Sequence, residues 1–148
     1  MGKIEAINIT NISEENTFYV NQVILEKGKG IVNDRYYGNF IEKKEQVTLI
    51  NIEEINNFNN QARLNVEAKD FRRNIIVSGV NLNQLISKKI RINKVILKIH
   101  EICQPCKYLQ DRLKIPGLVK MLVNKSGVRA EILSSGSLSV GDYIKIQK

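Results

Sequence analysis

Apolar residues recur along much of this chain at a period of two. Lys3 to Ile9 alternates, with Ile4, Ala6 and Asn8 on one side and Lys3, Glu5, Ile7 and Ile9 on the other, which predicts a strand. Gln22 to Glu26 is a short apolar run closed by the turn-forming Lys27-Gly28-Lys29-Gly30, and Gln46 to Ile50 is compact and rich in β-branched residues. The period then changes. Ile52, Ile55, Phe58 and Ala62 recur at helical spacing, Asn51 can cap, and Glu53 and Glu54 sit where the helix dipole favours acids, so Asn51 to Leu64 reads as a helix.

Arg73 to Ser78 reads as a strand stopped by Gly79, and Leu82 to Ile86 as one helical turn. Lys89 to Asn93 and Val95 to Ile102 form two strands joined by a tight turn. In the second, Val95, Leu97 and Ile99 share one face while Lys98 and His100 share the other. Pro105 to Leu113 reads as a helix with proline in its first turn, and Leu118 to Val123 as a second short helix after Ile115-Pro116-Gly117. Gly127 to Ser134 is a strand with Val128, Ala130 and Ile132 on one face. Gly136 marks a turn, and Tyr143 to Ile146 is the last strand. About eight strands, one medium helix and two or three short ones predict a mainly β chain, a barrel or sandwich, rather than an alternating doubly wound sheet.

Length and charge narrow this picture. The 148 residues suit one domain spanning 1–148. No apolar run approaches the roughly 20 residues of a spanning helix, and residues 1–10 lack the apolar core of a signal peptide. A cytoplasmic protein with no membrane partner is expected. The net charge of +8, from 23 Lys and Arg against 15 Asp and Glu, favours anionic partners. The basic residues are spread along the chain and no nucleic-acid motif is present, so a phosphorylated small ligand is expected rather than nucleic acid.

The candidate chemistry centres on Cys103-Gln104-Pro105-Cys106, just past a strand and at the start of a predicted helix. A thiol there feels the positive end of the helix dipole, and Lys107 and Arg112 act in the same direction. The residues alone leave several readings open: two buried structural thiols, a thioredoxin-like redox pair, a zinc site with His100, or a cysteine that binds another metal or carries sulfur. Arg72-Arg73-Asn74 leads into a strand, and paired arginines suit bidentate contacts to phosphate, although solvated charges are the plainer reading. Asp34-Arg35-Tyr36 lies in a polar, aromatic loop that a salt link between Asp34 and Arg35 could order. Gly127 to Ile132 and Val140-Gly141-Asp142 read as architectural, with Gly127, Gly136 and Gly141 serving turns.

Taken in order, Gly30 with Asp34-Arg35-Tyr36, Arg72-Arg73-Asn74-Ile75, Gly79-Val80-Asn81-Leu82, Cys103-Gln104-Pro105-Cys106, Gly127-Val128-Arg129-Ala130-Glu131 and Val140-Gly141-Asp142 closely resemble the MOSC domain family, from about Ile4 to Ile146. The resemblance implies a MOSC-type β-barrel with a few short helices. It implies a site for the molybdenum cofactor (molybdopterin) or for sulfur destined for it. Because the single cysteine of related motifs matches the second position here, it implies Cys106 as metal ligand or sulfur-bearing nucleophile, with Cys103 as an accessory. Arg72, Arg73 and Arg35 would neutralise the cofactor phosphate, and Asn74, Asp34 and Tyr36 would complete its surroundings. The pyridoxal-phosphate domain of the sulfurases and the N-terminal barrel of larger members are not in these residues. Delivery of cofactor or sulfur to a recipient molybdoenzyme, or receipt from a sulfurase, is therefore expected ahead of the alternative, a small molybdenum-dependent reductase of N-hydroxylated compounds.

Overall fold

The structure is a computed structural model that describes residues 2–10, 17–39, 42–105 and 107–147. Its strands are β1 (Gly2–Ile9), β2 (Phe18–Val20), β3 (Gln22–Glu26), β4 (Gly30–Ile31), β5 (Val47–Asn51), β6 (Ile75–Ser78), β7 (Lys89–Ile92), β8 (Val95–Ile102), β9 (Val128–Ser134), β10 (Gly136–Ser139) and β11 (Tyr143–Gln147). The helices are α1 (Ile52–Ala62), α2 (Lys107–Leu113) and α3 (Leu118–Leu122). Strands β11-β7-β8-β9-β5-β6-β1 form a ring that β1 closes by pairing with β11, so the predicted barrel is observed. Among the described residues only β5 and β6 pair in parallel, as the intervening helix α1 requires. A small sheet, β10-β3-β4, adds Val23, Leu25, Ile31 and Leu138 to the barrel core.

Period-two patterning explains the filled interior. Val47 and Leu49, Ile75 and Val77, Ile90 and Ile92, Val95, Leu97 and Ile99, and Val128, Ala130 and Ile132 all point inward and are buried. The strict alternation read into Lys3 to Ile9 does not hold. A bulge shifts the register between Ile4 and Ala6, so Ile4, Ile7 and Ile9 all enter the core while Ala6 turns out toward the helices. A second bulge between Ile99 and Glu101 leaves Glu101 opposite Arg129.

A second apolar cluster lies outside the barrel. Ile50 and Ile76 pack against Ile55 and Phe58 of α1, Leu109 of α2, Leu118 and Leu122 of α3, and Phe71. Phe58 and Phe71 meet edge to face with ring centroids 5.6 Å apart.

Several boundaries differ from expectation for local reasons. The strand expected from Arg73 begins at Ile75, because Arg72 ends a 3₁₀ turn (Ala68–Phe71) in the left-handed conformation, φ 63°. Asn51 precedes α1 but its side chain does not cap it; Nδ2 donates to the Val80 carbonyl and Oδ1 accepts from Leu82 N. Gly136 opens a strand instead of a turn, and its φ is not positive. Gly127 does need its freedom: at φ +97° a Cβ would lie 2.2 Å from the Leu49 carbonyl oxygen. Among the described residues no helix is long and apolar enough to cross a membrane.

Candidate functional site

The outer wall of β5, β6 and β9 changes character within one strand's length. Ile50 and Ile76 are covered by the helices, whereas Thr48, Asn74 and Arg129 face a cavity of about 290 Å³. Phe71 and Leu109 border both regions, so the cavity begins where the apolar helical cover ends. Arg35, Tyr36, Arg72, Arg73, Cys103, Glu45 and Tyr108 complete its lining.

The loop after β4 delivers Arg35 and Tyr36. Asp34 is buried beneath it. Its Oδ1 accepts from Thr10 N at 3.2 Å and its Oδ2 from Tyr36 N at 3.4 Å, while Arg35 N donates to the Thr10 carbonyl at 2.6 Å. Burial pushes the Asp34 carboxyl up, and the amide bonds and the Arg35 charge only partly offset this. The loop is therefore ordered through backbone amides more than through the salt link expected. Asp34 supports the cavity and does not line it. The Arg35 guanidinium lies 4.5 Å from the centre of the Tyr36 ring, and its Nη1 is buried without a hydrogen-bond partner among the described residues.

The Arg72-Arg73 pair divides. Arg72 lines the cavity with its pKa depressed, first by burial and then by the charges of Arg35 and Arg112. Three guanidinium groups thus share one neighbourhood. Arg73 donates Nε to the Ser126 carbonyl at 2.7 Å, and Nη2 to the Ser126 hydroxyl at 2.8 Å and the Gln104 carbonyl at 3.4 Å. It fastens the segment that carries the cysteines to the loop before β9. Gln104 adds two more ties, donating to Asn124 Oδ1 at 2.5 Å and accepting from Asn124 N at 2.8 Å. Asn74 is equally engaged: Oδ1 accepts from Thr48 N and Thr48 Oγ1, both at 3.1 Å, and Nδ2 donates to the Asn8 carbonyl at 3.2 Å.

Cys103 is a free thiol, 3 % exposed, at the cavity wall, and its amide donates to the Gly127 carbonyl at 2.8 Å. Cys106 lies outside the described residues. Arg129 stands against Cys103. Burial alone would lower its pKa, but the Cys103 sulfur and Glu101, 3.1 Å away, together raise it. Glu101 is held in turn by Lys44 at 3.2 Å. Arg129 belongs to a segment read from sequence as architectural, yet it is one of the cavity's cations. Its only signal was a charge between the inward Val128 and Ala130, which any solvated strand shows. Thr48, Glu45, Phe71, Tyr108 and Leu109 gave no separate signal.

The barrel removes the thioredoxin-like reading. Among the described residues no group of three or more His, Cys, Asp and Glu could hold a metal ion, and His100 is engaged with Glu131 at 2.9 Å, away from the cavity lining.

The family model for the MOSC domain matches residues 34–145. The chain belongs to the MOSC domain family. Among solved structures, the YuaD protein from Bacillus subtilis is similar at 20% identity with a TM-score of 0.84, over 99% of this chain and 96% of that one. YiiM from Geobacillus stearothermophilus matches at 16% identity and a TM-score of 0.81, over 100% of this chain and 76% of that one. YiiM from Escherichia coli matches at 15% identity and 0.74, over 99% and 70%. These likenesses show the fold. No curated protein matches the chain at a significant level.

MOSC domains are commonly linked to the molybdenum cofactor. In this MOSC domain the residues fit the anionic part of such a group. Arg35 lines the cavity, and its buried Nη1 has no hydrogen-bond partner among the described residues, which costs about 1–3 kcal/mol. Arg72 lines the same cavity, close enough to Arg35 that the Arg35 charge helps to lower its pKa.

Proposed function

We propose that this MOSC domain binds the molybdenum cofactor, or sulfur destined for it, and passes it to a protein partner. The observation that carries this reading is that Arg35, Arg72, Arg129 and Cys103 line one cavity, with Arg35 Nη1 buried and without a hydrogen-bond partner among the described residues. When bound, the cofactor supplies a metal that accepts thiolate ligands and a phosphate that needs cations. Arg35 and Arg72 hold the phosphate. Tyr36 and Tyr108, 42% and 47% exposed at the cavity, offer faces to a planar ring. Arg73 positions the Cys103-Gln104-Pro105-Cys106 segment and does not bind the anion itself. Cys106 ligates the metal or carries the sulfur, and Arg129 places a positive charge against Cys103. At about 290 Å³ the cavity is just below the ~300–1,000 Å³ of ligand pockets, which suits a carrier that leaves part of its cargo accessible.

Native mass spectrometry of anaerobically purified protein tests this. Wild type should carry the cofactor's mass, or one added sulfur atom on Cys106, and Cys106→Ser should carry neither. Bare wild-type protein after incubation with cofactor and with a persulfide donor contradicts the reading. Turnover of an N-hydroxylated base by the loaded protein replaces delivery with reduction.

A further inference from the structure

The other half of the barrel's outer wall holds a second charged surface. Inward residues of β11, β7 and β8, such as Ile144, Ile90 and Leu97, belong to the core, so Lys145, Lys89, Arg91 and Lys98 must point out. Strand register then sets like charges face to face. Lys145 is opposite Arg91, and Lys89 is opposite Lys98. Such pairs destabilise a sheet. No carboxylate relieves them: the ion pairs among the described residues use Lys3, Lys44, Lys69, His100 and Arg129. Glu131, opposite Lys98, is bonded to His100, and Asp142 accepts from Asn93 and Ser139. Tyr143 stands at the edge of the patch, 60% exposed.

Shape selects the partner. Strands about 4.8 Å apart and alternate residues about 7 Å apart confine these charges to a patch of roughly 10 by 7 Å. That is compact, not a stripe that could track a nucleic-acid backbone. A single strand would also need successive stacking rings, and Tyr143 is the one Phe, Tyr or Trp residue of β7, β8 and β11. Arginine and tyrosine anchor protein interfaces, and opposed charge steers partners into register.

We propose that the outer face of β11-β7-β8 docks an acidic protein surface, whose clustered carboxylates meet Lys89, Arg91, Lys98 and Lys145. In the ring, β7 is three strands from β5 and two from β9, which carries the cavity's Arg129, so face and cavity are told apart by separate variants.

Fluorescence anisotropy with labelled poly-L-glutamate and labelled oligothymidylate tests this. The variants are Lys89→Glu/Arg91→Glu on the face and Arg35→Ala/Arg72→Ala in the cavity. The face variant should lose affinity for polyglutamate at least roughly tenfold, the cavity variant should keep it, and oligothymidylate should bind more weakly than polyglutamate. The face variant should also melt no lower than wild type, since it loses repulsive pairs. Unchanged polyglutamate binding by the face variant overturns the proposal, as does loss of binding by the cavity variant. Tighter oligothymidylate binding that the face variant abolishes reassigns the face to nucleic acid.

Discussion

The two halves of the barrel's outer wall are built on the same inner alternation and differ only in what stands outside it. On β5, β6 and β9 the outward residues are Ile50 and Ile76 under helices, and Thr48, Asn74 and Arg129 around a cavity. On β11, β7 and β8 they include Lys145, Lys89, Arg91 and Lys98. Cations on the covered half are partly buried and held by named partners, or, like Arg35 Nη1, lack one. On the other half Lys89, Arg91 and Lys145 are exposed and Lys98 is half-buried, Arg91 Nε donates to the Asn93 carbonyl, and the effect of the four charges is collective. Burial therefore separates a cavity that can select one small anion from a face that can only read charge and shape.

The comparison can be broken most strongly at its apolar hinge. Phe71→Ala should cost about 3–5 kcal/mol in urea unfolding, because Phe71 is fully buried between the helical cluster and the cavity. Arg35→Ala should weaken binding of a phosphate-bearing ligand by about 1.5–3 kcal/mol, more at low salt than at high, with little loss of stability in the free protein because Nη1 has no partner to lose. Arg73→Ala should do the reverse. It strands the Ser126 carbonyl and should cost about 1–3 kcal/mol of stability, while the salt dependence of ligand affinity stays as in wild type. Equal affinity losses for Arg35→Ala and Arg73→Ala would contradict the bracing role given to Arg73.

Two smaller effects follow. Asp34 has its pKa raised above 3.8, mainly by burial, so the folded state holds the proton more tightly than the unfolded chain. Its contribution is present below 3.8 and is lost as pH rises through the raised value. The melting-temperature difference between Asp34→Asn and wild type should therefore move in the variant's favour across that window; a constant difference contradicts the shift. On the other half, Lys145→Glu, opposite Arg91, should stabilise by about 0.2–1 kcal/mol in urea unfolding.

Much of this fold was legible because inward positions repeat every second residue and α1 repeats at its own period. The β1 bulge was not, since one extra residue changes face without changing composition. β2 and β4 are too short to show alternation, and β10, Gly136-Ser137-Leu138-Ser139, carries a single large apolar residue. Arg35, Tyr36, Arg72, Arg73, Asn74 and Cys103 were visible as motifs and the fold brings them to one cavity. That Arg73 and Asn74 line the cavity and are also tied into the barrel depends on hydrogen bonds that no spacing encodes. Arg129 stayed hidden as one charge on a strand. The basic face was hidden for a topological reason: Lys89, Arg91 and Lys98 meet Lys145 only because β11 returns to pair with β7.

The central claim, that the covered half binds the cofactor's anionic end through Arg35, is most directly tested by titrating apo protein with molybdenum cofactor anaerobically, at low and high salt, for wild type and Arg35→Ala. Saturable binding by wild type that weakens with salt, and a weaker, less salt-sensitive interaction in the variant, is the predicted result. Identical curves for the two proteins at both salt concentrations would contradict it.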